Sequence, residues 1–115
     1  MQQTIVELAP FKLVDENSEG RLLEASTHLQ NHFLTHQPGF IKRELLKGWD
    51  NQWLDIVHWE NQESADRAMQ AAMNSSACSQ YFQLMQAADH NDPGLGVSHF
   101  KSLASYDKSE GHHIS

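Results

Sequence analysis

Residues 38–60 read Pro-Gly-Phe-Ile-Lys-Arg-Glu-Leu-Leu-Lys-Gly-Trp-Asp-Asn-Gln-Trp-Leu-Asp-Ile-Val-His-Trp-Glu. Two runs rich in β-branched and large apolar residues, 40–47 and 53–60, flank the short polar link Gly48-Trp49-Asp50-Asn51-Gln52. That length and composition predict an antiparallel hairpin. Upstream, Leu22, Ala25, Ser26, Leu29 and Phe33 recur at intervals of three and four, which predicts a helix over 21–36. Pro38-Gly39 stops it. Before it, residues 4–14 read as a strand, in which Pro10 marks an edge position, a bulge or the strand's end. Downstream, Asn61 is placed to cap a helix by accepting from the Ser64 amide, with Glu63 and Asp66 in its first turns. Ala65, Ala68, Met69, Ala72 and Met73 form its inner stripe. Asn74-Ser75-Ser76 breaks it, and a shorter helix carries Ala77, Cys78, Tyr81, Phe82 and Met85 on one side. Asp89–Gly94 is a turn, which holds His90, and Gly96–Leu103 a last strand.

The order is therefore β-α-β-β-α-β with a divided second helix. This is the α+β, ferredoxin-like pattern: a four-stranded antiparallel sheet with the helices on one face. Every strand carries apolar side chains at both parities: Ile5 and Val6, Phe40 and Ile41, Ile56 and Val57, Val97 and Phe100. A sheet apolar on both faces needs two covers, and the chain has helices for one. The expected second cover is a copy of the same chain, a homodimer through the open sheet face. Periodicity leaves open which strand parity faces the helices.

The chain has 115 residues, one cysteine and a formal net charge of −7. At this size about two-thirds of the chain's surface can be buried, enough for one core without staples. We expect a single domain over 1–104 and a polar, disordered tail over 105–115, which holds His112 and His113. Fifteen acidic residues against eight scattered basic ones argue against nucleic acid as a partner. No apolar run reaches the length of a membrane span, and the first residues carry no basic cluster, so no membrane segment or leader is expected. The lone Cys78 points to a reducing compartment, the cytoplasm.

The Pro38-Gly39-Phe40 turn into the second strand, Trp59 at the end of the third, and Glu60, Glu63 and Ala65 opening the next helix resemble the antibiotic biosynthesis monooxygenase family of the dimeric α+β barrel superfamily. The resemblance covers roughly residues 4–103. It implies that fold, a homodimer and a pocket between sheet and helices. It also implies oxygenation of quinols or polyketide aromatics without metal or flavin, so neither a cofactor nor a metal is expected. Haem-degrading relatives use an asparagine, a tryptophan and a histidine at positions that fall near Glu7, Ala68 and Cys78. None of the three matches, and no catalytic residue is carried over.

The residues themselves offer several constellations. His28, His32 and His36 lie one helical turn apart and two such rings can chelate a transition metal, but the row flanks the apolar stripe and no carboxylate completes a ligand set. Such a row is expected to be solvated. His58 and His99 sit inside strands, as do Glu44 and Asp55, and a buried polar group needs a partner. His58 is the candidate general base, with Glu44 or Asp55 orienting it; the competing reading is a histidine bonded at the dimer seam or a strand edge. Pocket candidates are Glu7, Trp59, Met69, Tyr81 and His99. Met73 and Met85 serve either core or pocket, Trp49 is an exposed hairpin residue suited to a dimer contact, Trp53 serves either core or that contact, and Cys78 is a small core residue. There is no phosphate loop, no Gly-x-Ser-x-Gly and no Cys-x-x-Cys. The expected function is cofactor-independent monooxygenation of a small aromatic or quinol; the alternatives are a small-molecule binding or sensing module and a purely structural dimer.

Overall fold

The computed structural model describes residues 4–87 and 96–108. The elements are β1 (Ile5–Lys12), α1 (Glu19–His32), a 3₁₀ turn (Leu34–His36), β2 (Phe40–Lys47), β3 (Gln52–Trp59), α2 (Gln62–Ala72), α3 (Ser76–Phe82) and β4 (Ser98–Lys101). The four strands form one sheet in the order β2-β3-β1-β4, and every neighbouring pair is antiparallel. This is the ferredoxin-like α+β arrangement. The turn expected at Asp89–Gly94 and most of the tail lie outside the described residues.

The hairpin between β2 and β3 closes through a two-residue turn. Asp50 and Asn51 both have positive φ, 56° and 62°, and Gln52 N–H donates to the Trp49 carbonyl at 3.1 Å. Asp and Asn tolerate this left-handed backbone, whose twist matches that of the strands. Asn51 does more: its Oδ1 accepts from Leu13 N–H and its Nδ2 donates to the Leu13 carbonyl, at 3.2 and 2.9 Å. The turn is thus pinned to the end of β1.

The helix face of the sheet is defined by strict alternation. On β3, Trp53, Asp55, Val57 and Trp59 are buried and Leu54, Ile56 and His58 only half so. Register carries the same parity to β1, where Ile5, Glu7, Ala9 and Phe11 stand opposite Trp59, Val57, Asp55 and Trp53. Against them pack Leu22, Leu29 and Phe33 from α1 and its C-cap, Ala65 and Ala68 from α2, and Ala77, Cys78 and Tyr81 from α3. Pro10 lies within β1, past the point where β4 stops pairing opposite Leu8, so its missing N–H interrupts no ladder there.

A β-bulge at Ile41 interrupts β2: Phe40 pairs with Trp59, and Lys42 already pairs with His58. The extra residue inverts the face of everything after it. Without it Lys42 and Glu44 would share the helix face of Phe40. With it Arg43, Leu45 and Lys47 do, and Glu44 goes to the open face.

α2 starts as the sequence predicts, with Asn61 Oδ1 accepting from Ser64 N–H at 2.8 Å. After α3, Gln86 N–H donates to the Lys12 carbonyl and Val14 N–H to the Leu84 carbonyl, at 2.8 and 2.9 Å, so this segment runs alongside the end of β1. No helix among the described residues is long and apolar enough to cross a membrane.

Candidate functional site

Between the sheet and the helices lies a cavity of about 880 Å³, within the range that holds a small organic ligand. Its helical walls are largely apolar, with Leu29, Phe33, Ala68, Met69, Cys78 and Phe82. Its sheet wall is mixed, because Arg43, Glu7 and Asp55 line it beside Val57, Phe11 and Trp59. Register places Arg43, Val57, Glu7 and His99 opposite one another across the four strands, a single cross-sheet row on the helix face.

Two polar groups stand on this wall. In the first, Arg43 Nε donates to Asp55 Oδ1 at 3.0 Å, Tyr81 O–H donates to Asp55 Oδ2 at 2.6 Å, and Arg43 Nη2 donates to the Tyr81 hydroxyl at 2.9 Å. Arg43 Nη1 reaches the Ser26 carbonyl at 3.3 Å. The ion pair is almost fully enclosed. Burial raises the affinity of Asp55 for a proton above that of an ordinary carboxylate, and Arg43 and Tyr81 offset this only in part. Burial and the neighbouring Asp55 charge likewise hold the Tyr81 hydroxyl protonated well above its usual range. Both carboxylate oxygens of Asp55 therefore have partners, and Tyr81 is a permanent neutral donor to one of them.

In the second group, Trp59 Nε1 donates to Glu7 Oε1 at 3.2 Å, and His99 Nε2 lies 3.2 Å from the same oxygen. His99 stands directly opposite Glu7 on β4. Of the pocket candidates, Glu7, Trp59, Met69 and Tyr81 line the cavity, and His99 reaches it through Glu7.

The expected union of His58 with Asp55 does not occur. His58 faces away from the helices, opposite Lys42 and Val6. Residues three apart on a strand always point to opposite faces, so no regular strand could have joined them. Glu44 does share the His58 face. The His58 ring holds its proton less firmly than a free imidazole, first because of burial and then because of the Lys42 charge, with Glu44 opposing.

Trp53 is core, stacked on Phe11 at 6.3 Å with Lys47 Nζ over its ring at 5.7 Å, while Trp49 is exposed. Cys78 is buried, with its thiol shifted upward by that burial. Met73 lies at the exposed rim of the cavity and Met85 is half-buried on its wall. The His28 and His32 rings lie 4.2 Å apart, and no group of three or more His, Cys, Asp or Glu among the described residues is arranged to hold a metal. Arg43 escaped the sequence reading. Counting alternation from Phe40 turns it outward, and only the bulge turns it in.

No protein-family model and no curated protein matches the sequence. Solved structures do. A candidate antibiotic biosynthesis monooxygenase from Bordetella bronchiseptica superposes with a TM-score of 0.72 at 13% identity, covering 90% of this chain and 100% of that one. SnoaB, described as a cofactor-independent oxygenase from Streptomyces nogalater, gives a TM-score of 0.57 at 15% identity over 91% and 96%. A heme-degrading protein from Mycobacterium tuberculosis gives 0.56 at 19% identity over 94% and 100%. At these identities the likeness is one of fold: this chain has the fold of antibiotic biosynthesis monooxygenase-like proteins. The positions at which the resemblance expects haem-degrading side chains, Glu7, Ala68 and Cys78, all line the cavity and carry none of them.

Proposed function

We propose that this chain is a cofactor-independent monooxygenase acting on a small aromatic or quinol, working as a cytoplasmic homodimer. One observation carries the reading: a cavity of about 880 Å³ with largely apolar helical walls and carboxylates on its sheet wall. A flat apolar substrate is desolvated there while its ionisable hydroxyl meets a proton acceptor. The fold shared with SnoaB supports the same chemistry.

The reaction balances without an external reductant. An anthrone loses a proton to the acceptor, and the carbanion adds dioxygen at the former methylene carbon. The acceptor returns its proton to the resulting peroxide anion, and loss of the remaining C–H proton together with hydroxide, as water, leaves one oxygen atom as the quinone carbonyl. The acceptor comes from Glu7 and Asp55, the carboxylates that line the cavity; His58 belongs to the opposite face.

The test is oxygen consumption with a panel of hydroquinones and anthrones. Turnover is expected in the wild type, and Glu7→Gln or Asp55→Asn should slow it by roughly 10²–10⁴ if it removes the acceptor. Absence of turnover with every member overturns the reading. The Arg43–Asp55–Tyr81 cluster satisfies its own hydrogen bonds, which favours a second reading, a binding or sensing module. A ligand-induced rise in melting temperature without product would select it.

The dimer rests on the open sheet face. Val6, Leu8, Leu54 and Ile56 are half-buried there, and Phe100 is 55% exposed. Packing two such faces together removes this apolar surface from water.

A further inference from the structure

Of the two carboxylates in the cavity, Asp55 has both oxygens engaged, whereas Glu7 has one. Glu7 Oε1 accepts from Trp59 Nε1 and meets His99 Nε2, each at 3.2 Å. Among the described residues no hydrogen bond reaches Glu7 Oε2. A carboxylate oxygen accepts, so the His99 nitrogen facing it is the protonated one. Two N–H groups, from the strands on either side of β1, thus fix the carboxylate through a single oxygen. The side chain is held as well as bonded, with 18% of its surface exposed. Next to it in the cross-sheet row lies Val57, an apolar floor on which a ring can rest.

We propose that Glu7 is the hydroxyl-recognition residue of the cavity. Its Oε2 accepts a hydrogen bond from the phenolic O–H of a planar aromatic ligand seated against Val57, so the cavity selects phenols and quinols over the corresponding ethers. Trp59 and His99 are positioning residues that aim the carboxylate. The inference takes its ligand class from the proposed monooxygenase reading, but the recognition is a binding property and needs no turnover. A preorganised acceptor on the wall of a largely apolar cavity gains a hydrogen bond on meeting a hydroxyl and is left unpaired on meeting a methoxy group.

The experiment compares 1-naphthol with 1-methoxynaphthalene by calorimetric titration of the full chain. Wild type should bind the naphthol about tenfold or more tightly than the ether, as expected for a hydrogen bond to a charged acceptor. Glu7→Met, which removes the acceptor and keeps the bulk, should bind the two alike. Glu7→Gln keeps the shape should Glu7→Met not fold, and its preference should shrink to a few-fold. His99→Phe should reduce the preference while leaving ether affinity in place, which general loss of structure would not do. Equal affinities in wild type, no binding of either probe, or a preference unchanged in the Glu7 variants overturns the proposal. A retained naphthol preference in a protein that consumes no oxygen with any quinol overturns the monooxygenase reading and leaves Glu7 standing; turnover without the preference does the reverse.

Discussion

Asp55 shows how much one buried side chain can decide. Its carboxylate accepts from Arg43 and from Tyr81, and all three are enclosed. Removing one partner of such a set strands the other in a medium that solvates it poorly. Asp55→Ala should therefore cost about 3–5 kcal/mol, by leaving the Arg43 guanidinium unpaired. Tyr81→Phe, which removes a neutral hydroxyl, should cost about 1–3 kcal/mol. Urea denaturation of the two variants checks both the sizes and the order. His58 gives a pH prediction of definite sign. Its folded-state proton affinity lies below the ordinary value of 6.5, so unfolding takes up a proton in the window below that value. Its contribution to stability is present above 6.5 and is lost as pH falls through the folded value. His58→Gln should flatten that part of the stability curve, as read from melting temperatures across the acid range; an unchanged slope would place the dependence elsewhere.

Elements are held by a few local devices, most of them visible in the chain. Gly39 has φ +82°, and a Cβ there would collide with the Ser64 side chain, whose hydroxyl donates to the Asn61 oxygen that caps α2. Gly39→Ala should destabilise by about 1–3 kcal/mol through backbone strain and the displaced cap. Asn61→Ala should cost about 1 kcal/mol. For a domain of this size each kcal/mol lowers the melting temperature by roughly 4–8 °C, so calorimetry separates the two. The Pro-Gly turn, the Asn61 cap, the hairpin and the break at Asn74–Ser75 were all legible because each depends on the backbone preferences of the residues present. The Ile41 bulge was not. Nothing in Phe-Ile-Lys-Arg-Glu marks which residue is the extra one, since that is chosen by which register buries Arg43 against Asp55 and leaves Lys42 and Glu44 to the open face.

At the scale of the molecule, the sheet's second face is the outstanding feature. Wild-type protein should sediment as a dimer at micromolar concentration. Ile56→Lys places a charge in the middle of the open face and should yield folded monomer, because Ile56 faces away from the helix side of the sheet. A monomeric wild type would remove the argument from the bare face. The cavity belongs to the same scale. Ala65, Ala68 and Ala77 put small side chains into the core beside it, and Met69 and Phe82 line it.

The order of elements, the α+β class and the doubly apolar sheet were determined by the chain itself, because periodicity, capping and turn chemistry are local. Eight histidines drew the sequence reading toward His58, which faces away from the helices, whereas the polar groups at the cavity are Glu7, Arg43, Asp55, Tyr81 and His99. These residues come from four strands and a helix. Only register, one bulge and the side of the sheet on which the helices lie bring them together, and those are settled by which packing leaves no buried charge without a partner.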